Sequence, residues 1–252
     1  MLVSNVGGFF DPDLADKAIA EGKLDLVAMA RAWISNPNYG DLLYEGRKED
    51  LVPCLRCNKC HGRGKRDILT TVCSVNPKFG FEEVDRYLVT PVKEQKNIAI
   101  IGGPGGMRSA LFLADRGHRV TIFEAESQLG GAIRHADYVD FKWTLRDYKN
   151  YLIFQVKKKG INVVLNTRVT PDMIQDRYDV VIAAVGAQPI MPKLPGVEGD
   201  NVMVATEAIM HSEKVGSRVV VIGGGEVGVE TGMFLAQQGR DVTVIEMRDE
   251  LA

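Results

Sequence analysis

Val219-Val220-Val221-Ile222-Gly223-Gly224-Gly225-Glu226-Val227-Gly228 is the stretch that decides the fold. Its β-branched run reads as a buried strand, and a G-x-G-x-x-G turn follows directly. Gly223 permits the tight turn, Gly225 lets the backbone approach a pyrophosphate, and Gly228 lets the next helix pack close to the strand. The amides at that helix's N-terminus then face the phosphates. Glu246 stands at the end of the next strand, where a carboxylate accepts both ribose hydroxyls of an adenosine. Strand, helix and terminal acid together point to dinucleotide binding rather than a plain Gly-rich loop.

The same unit occurs earlier. Sliding the sequence on itself lays 106–114 on 228–236, Gly117 on Gly239, and 120–124 on 242–246. Each copy reads as a βαβ unit, so the fold class is α/β with two Rossmann-like units. The first copy departs from the pattern, because the ungapped alignment places Ile101 opposite Gly223, Gly103 opposite Gly225 and Gly106 opposite Gly228. Either Gly102 is the first glycine of a turn one residue shorter, or Ile101 takes that position and the turn distorts. Glu124, aligned with Glu246 at the end of its own strand, supplies the ribose acid. A second dinucleotide site is expected here, against a degenerate copy that keeps the packing and has lost the ligand. Between the copies, 160–165 and 178–186 read as strands and 143–159 as a helix, whose aromatics Trp143, Tyr148 and Tyr151 read as packing. Gly186 ends the second strand with a turn that can come near a ligand.

All four cysteines fall between positions 54 and 73: Cys54, Cys57 and Cys60 form a C-x2-C-x2-C run, and Cys73 follows after a gap of twelve. Zinc sites usually show two separated C-x2-C pairs, whereas a cubane takes one thiolate per iron. The spacing favours a 4Fe-4S cluster over zinc, with a disulfide the weakest reading. His61 reads as an ordinary loop histidine, and Arg63, Lys65 and Arg66 as cations offsetting the cluster's charge or as a solvated loop.

Residues 2–6 read as a strand ending in Gly7-Gly8, 12–21 as a helix closed by Gly22, and 25–30 as a second strand followed by Arg31 and another helix. This is β-α-β-α, about a quarter of a (β/α)8 barrel. A Gly pair after one strand and an Arg after the next suit the phosphate site such barrels build; the plainer reading is a simple turn and an exposed cation.

Composition bounds the rest. A chain of 252 residues with 45% hydrophobic content buries a real core, and Lys plus Arg (31) against Asp plus Glu (33) gives a net charge of −2. No nucleic acid or acidic membrane partner is expected. No apolar run approaches the roughly 18 residues of a membrane span, and no leader opens the chain, so a cytoplasmic location is expected.

Taken in order, the pieces resemble the multidomain NADH:flavin oxidoreductases of the old yellow enzyme class: 2,4-dienoyl-CoA reductase, enoate reductase and trimethylamine dehydrogenase. The carriers are Val6-Gly7-Gly8-Phe9, Ala30-Arg31, the four cysteines, Gly102-Gly103-Pro104-Gly105-Gly106-Met107 and the 221–228 turn, and the resemblance covers essentially the whole chain. It implies the end of a TIM barrel over 1–50, a 4Fe-4S linker over 51–95, an FAD- or ADP-binding domain over 96–215 and the start of an NAD(P)H-binding domain over 216–252. By the same resemblance Gly7, Gly8, Ala30 and Arg31 hold the FMN phosphate. The first Gly-rich copy with Glu124 holds FAD or ADP, and the second with Glu246 holds NAD(P)H. Ala30 stands where the family commonly has Gly.

The resemblance further implies electron input from NAD(P)H through FAD and the cluster to FMN, for reduction of an activated C=C bond. The alternatives are an amine dehydrogenase portion or a non-catalytic Fe-S and nucleotide-binding electron-transfer module. A glutamate-synthase-like subunit is disfavoured by residues 1–50. No residue reads as a general acid or nucleophile. Both ends are expected to fall inside domains, so that the small-molecule substrate is met in a missing barrel, and a partner chain or second copy would cover open strand edges.

Overall fold

The computed structural model describes residues 1–61 and 71–251. Arg63, Lys65 and Arg66 lie outside the described residues.

The chain folds as two bodies, one formed by 1–131 and 144–185 and the other by 132–143 and 186–252. In the first, β1 (Ser4–Val6) pairs in parallel with β2 (Leu26–Ala28) across helix α1 (Pro12–Ala20). Asp11 caps α1 by accepting from Asp13 N at 3.0 Å, and Pro12 enters at the first turn, where its missing N–H costs nothing. The expected second strand stops at Ala28, because Ala30 and Arg31 already open α2 (Ala30–Ser35), which is followed by α3 (Tyr39–Tyr44). These residues form a β-α-β-α unit; no closed barrel exists among the described residues.

After α4 (Glu82–Leu88) comes a four-stranded parallel sheet in the order β5-β4-β3-β6. Its strands are β3 (Asn97–Ile101), β4 (Arg119–Phe123), β5 (Asn162–Val164) and β6 (Val180–Ala183). Between them run α5 (Pro104–Asp115), α6 (Trp143–Lys158) and α7 (Pro171–Ile174). Alternate residues Ile98, Ile100, Val120 and Ile122 turn one sheet face onto Met107, Ala110 and Leu111 of α5 and Leu152 and Val156 of α6. Burying each of the larger side chains contributes about 1.5–3 kcal/mol. Tyr148 and Tyr151 stack with centroids 6.3 Å apart and pack against this core, as expected of them.

In the second body, β7 (Arg218–Ile222) and β8 (Asp241–Ile245) pair in parallel, with α8 (Ala205–Met210) and α9 (Glu226–Gln237). Its core is Val139, Ile209, Phe234 and Leu235, backed by Val215, Val219 and Val242. Among the described residues no helix is long and apolar enough to cross a membrane.

Candidate nucleotide and thiol sites

Strand register settles the first Gly-rich turn. Asn97 pairs with Arg119 in the first copy and Arg218 with Asp241 in the second, so the offset between paired strands is smaller by one in the first. The first turn is therefore one residue shorter, and Gly102 is the equivalent of Gly223. Both have positive φ (86° and 106°), and both amides donate to the last carbonyl of the neighbouring strand, Gly102 to Phe123 at 2.9 Å and Gly223 to Ile245 at 2.8 Å.

Shortening leaves its mark on the next glycine. Gly103 and Gly225 each precede a helix, but Gly103 has φ +36° where Gly225 has −70°. A Cβ on Gly102 or on Gly103 would stand 3.0 Å from the Ala184 carbonyl oxygen, and one on Gly106 would be 2.9 Å from Ile100 Cγ2. At Gly228 it would sit 1.8 Å from the Gly223 oxygen, whereas beyond Gly225 there is open space. Neither α5 nor α9 has a side-chain cap, so the amides of their first turns remain for an anionic ligand. The first turn also lies at the carboxyl end of β3, between β4 and β6, where the strand order reverses.

Glu124 follows β4 and is only 5% exposed. Its Oε1 accepts from Glu126 N at 3.1 Å, and its Oε2 is buried without a hydrogen-bond partner. A buried carboxylate oxygen in that condition costs about 1–3 kcal/mol or more, a cost that ribose hydroxyls would relieve. Glu246 differs: it is half-buried, with Oε2 accepting from Gly224 N at 2.7 Å and Oε1 from Arg248 N at 2.9 Å. These two backbone donors hold its carboxyl below the usual carboxylate range.

Two contributions escaped the sequence. The loop after β4 returns so that a Cβ on Gly131 would meet Gly103 Cα and Pro104 Cδ at 3.2 Å. The Gly130-Gly131 pair was the available signal. The Ala184 carbonyl carried none. Gly186 has φ +72° with open space around it, in keeping with the expected turn.

Cys54, Cys57, Cys60 and Cys73 are free thiols lining one pocket, with Arg31, Ile34, Leu55, Asn58, Ser74 and Val75. Arg56 N donates to Cys54 Sγ at 3.4 Å, and Ser74 Oγ lies 3.3 Å from Cys57 Sγ. Burial pushes the Cys54 thiol up, opposed by the Arg56 amide and the Arg31 charge. Burial also acts to raise Cys57, but the Ser74 hydroxyl and the amides of Lys59 and Cys57 outweigh it and hold that thiol below its ordinary value. Among the described residues no group of three or more His, Cys, Asp or Glu is placed to hold a metal ion.

Gly7 and Gly8, with φ +94° and +81°, follow β1, and Ala30 and Arg31 follow β2. Since Val6 pairs with Ala28, both pairs lie at one end of the two strands. Arg31 lines the thiol pocket. A separate cavity of about 610 Å³, lined in part by Arg119, Thr121, Phe123, Asn162 and Tyr178, contains none of the candidate cofactor or thiol residues.

Residues 96–252 match the family described as pyridine nucleotide-disulphide oxidoreductase. An NADH oxidase from Thermoanaerobacter brockii is 34% identical over 256 aligned residues, 99% of this chain and 39% of that protein. A cinnamate reductase from Clostridium sporogenes is 33% identical over 252 residues, 99% of this chain and 37% of that protein. A solved 2-naphthoyl-CoA reductase in complex with 2-naphthoyl-CoA superposes with TM-score 0.89 at 32% identity, covering 98% of this chain and 38% of that one. The chain thus spans less than two fifths of the length of each of these relatives.

Proposed function

Since the chain belongs to the old yellow enzyme-type NADH:flavin oxidoreductases and carries over 96–252 the pyridine nucleotide-disulphide oxidoreductase fold, we propose that it is the electron-input portion of an iron-sulfur flavoprotein that reduces an activated C=C bond. The observation that carries the nucleotide-binding core of this reading is Glu124, whose buried, unpartnered Oε2 stands at the strand end beside a Gly-rich turn.

The residues fit the groups the family implies. Glu124 accepts the ribose hydroxyls of FAD, or of ADP, while Gly102 and Gly103 let the backbone and the α5 amides close on the pyrophosphate. Gly223, Gly225 and Glu246 do the same for NAD(P)H. Cys54, Cys57, Cys60 and Cys73 hold a 4Fe-4S cluster through thiolates, and the Arg56 amide and Ser74 hydroxyl orient two of the sulfurs. Gly7, Gly8, Ala30 and Arg31 form one wall of an FMN phosphate site. Bound flavin supplies exchange between the two-electron chemistry of nicotinamide and the one-electron chemistry of a cluster. The C=C class rests on the printed names of the cinnamate and 2-naphthoyl-CoA reductases. A partner chain, a second copy or further chain would enclose the substrate.

Anaerobic reconstitution with iron, sulfide and FAD tests the reading. About four irons per chain, bound flavin and NADH-dependent reduction of a dye are expected. Zinc as the sole metal, or a chain that binds neither FAD nor ADP, overturns it.

A further inference from the structure

Arg31 connects the α2 start to the thiol pocket. Its Nη1 donates to Asn58 Oδ1 at 2.7 Å, and Asn58 lies between Cys57 and Cys60 with φ +56°. Asn is among the few residues that take this left-handed conformation readily, and the Arg31 hydrogen bond holds its side chain from outside the turn. The guanidinium also lies over the Phe10 ring at 5.2 Å, with Arg56 over the same ring at 4.4 Å. Arg31 is half-buried, and no carboxylate pairs with it among the described residues. It lines the pocket of all four sulfurs.

Reducing a cluster adds negative charge inside that pocket. A fixed cation favours the reduced form, and hydrogen bonds and net charge around the sulfurs are established levers on cluster potential. Resting on the reading of the four cysteines as cluster ligands, we propose that Arg31 is a positioning residue that tethers the Cys57–Cys60 turn through Asn58 and raises the reduction potential of the cluster.

The test is an EPR-monitored redox titration of the anaerobically reconstituted full chain, with iron counted per chain. Arg31→Gln removes charge and tether and is expected to shift the equilibrium about tenfold toward the oxidised form, ~59 mV for a one-electron couple. Asn58→Asp keeps the tether but sets an anion against the guanidinium, and its potential is expected to fall similarly; it decides the matter alone if Arg31→Gln does not retain iron. Arg31→Lys keeps the charge and is expected to stay near wild type. Iron in wild type and Asn58→Asp with equal potentials overturns the role of Arg31 while the cluster reading stands. A wild-type chain that takes up no iron overturns the cluster reading itself.

Discussion

A Cβ placed on Gly103 would stand 3.0 Å from the carbonyl oxygen of Ala184, at a residue whose φ is +36°. Gly103→Ala therefore meets both a forbidden backbone conformation and a fixed oxygen. The expected loss of stability is about 1–3 kcal/mol, read by denaturant unfolding. Gly225→Ala is the contrasting case: with φ −70° and open space beyond it, stability should change by under ~1 kcal/mol while NADH binding weakens, because only the ligand needs that space.

Glu124→Ala removes the unpartnered buried oxygen. FAD or ADP affinity, measured by calorimetry, should fall about 10- to 100-fold, the worth of hydrogen bonds to a charged group. Ligand-free stability should fall by far less than the burial of the carboxylate suggests. Unchanged affinity would remove Glu124 from the site.

Asp50 supports α6 from the segment before the cysteines. It accepts from Lys158 Nζ at 2.7 Å, Gln155 Nε2 at 2.8 Å and Arg47 Nε at 2.9 Å. Burial acts to raise its carboxyl, but Lys158, Gln155 and Arg47 outweigh that and hold it at about 2, against an ordinary 3.8. A carboxyl lowered in the fold stabilises above its unfolded value and loses that contribution as pH falls toward its folded one. Wild type should therefore lose stability between about pH 4 and 2. Asp50→Asn should flatten that part of the profile and cost ~1–2 kcal/mol at neutral pH.

Glu246 presents a half-buried carboxylate whose oxygens are fixed by Gly224 N and Arg248 N. A 2′-phosphate would meet this anion, so NADH should bind more tightly than NADPH. Glu246→Gln should narrow the difference about tenfold. Tighter NADPH binding by the wild-type chain would mean that the Arg248 side chain, not Glu246, governs the choice.

Much of this was legible because strand, turn and acid are local patterns. β3, β4, β7 and β8 fall where β-branched runs placed them, and Glu124 and Glu246 follow their strands. The expected 160–165 and 178–186 strands shrink to Asn162–Val164 and Val180–Ala183, since a ladder extends only as far as its parallel neighbour accompanies it. The first Gly turn stayed ambiguous in sequence because Ile101 against Gly102 is a question of register, which hydrogen bonds between strands decide. Arg31 was read from its position after a strand; its bond to Asn58, far along the chain, has no periodicity to announce it. The Ala184 carbonyl is backbone and leaves no side-chain signature.

The path of the chain has a kinetic consequence. Val139, wholly buried, belongs to the core with Ile209, Phe234 and Leu235, although the chain returns to the first body over 144–185 before reaching them. On a ribosome releasing about 5–20 residues per second, the 132–143 segment waits several seconds for its packing partners. The first body can close once residue 185 emerges, and the second must still join segments separated by two helices and two strands. Closing so long a loop costs little more free energy than closing a shorter one, because the entropy grows only logarithmically, but distant contacts slow the search. The core around Val139 is accordingly the last to form, and its apolar surface is the one a chaperone would meet on the nascent chain.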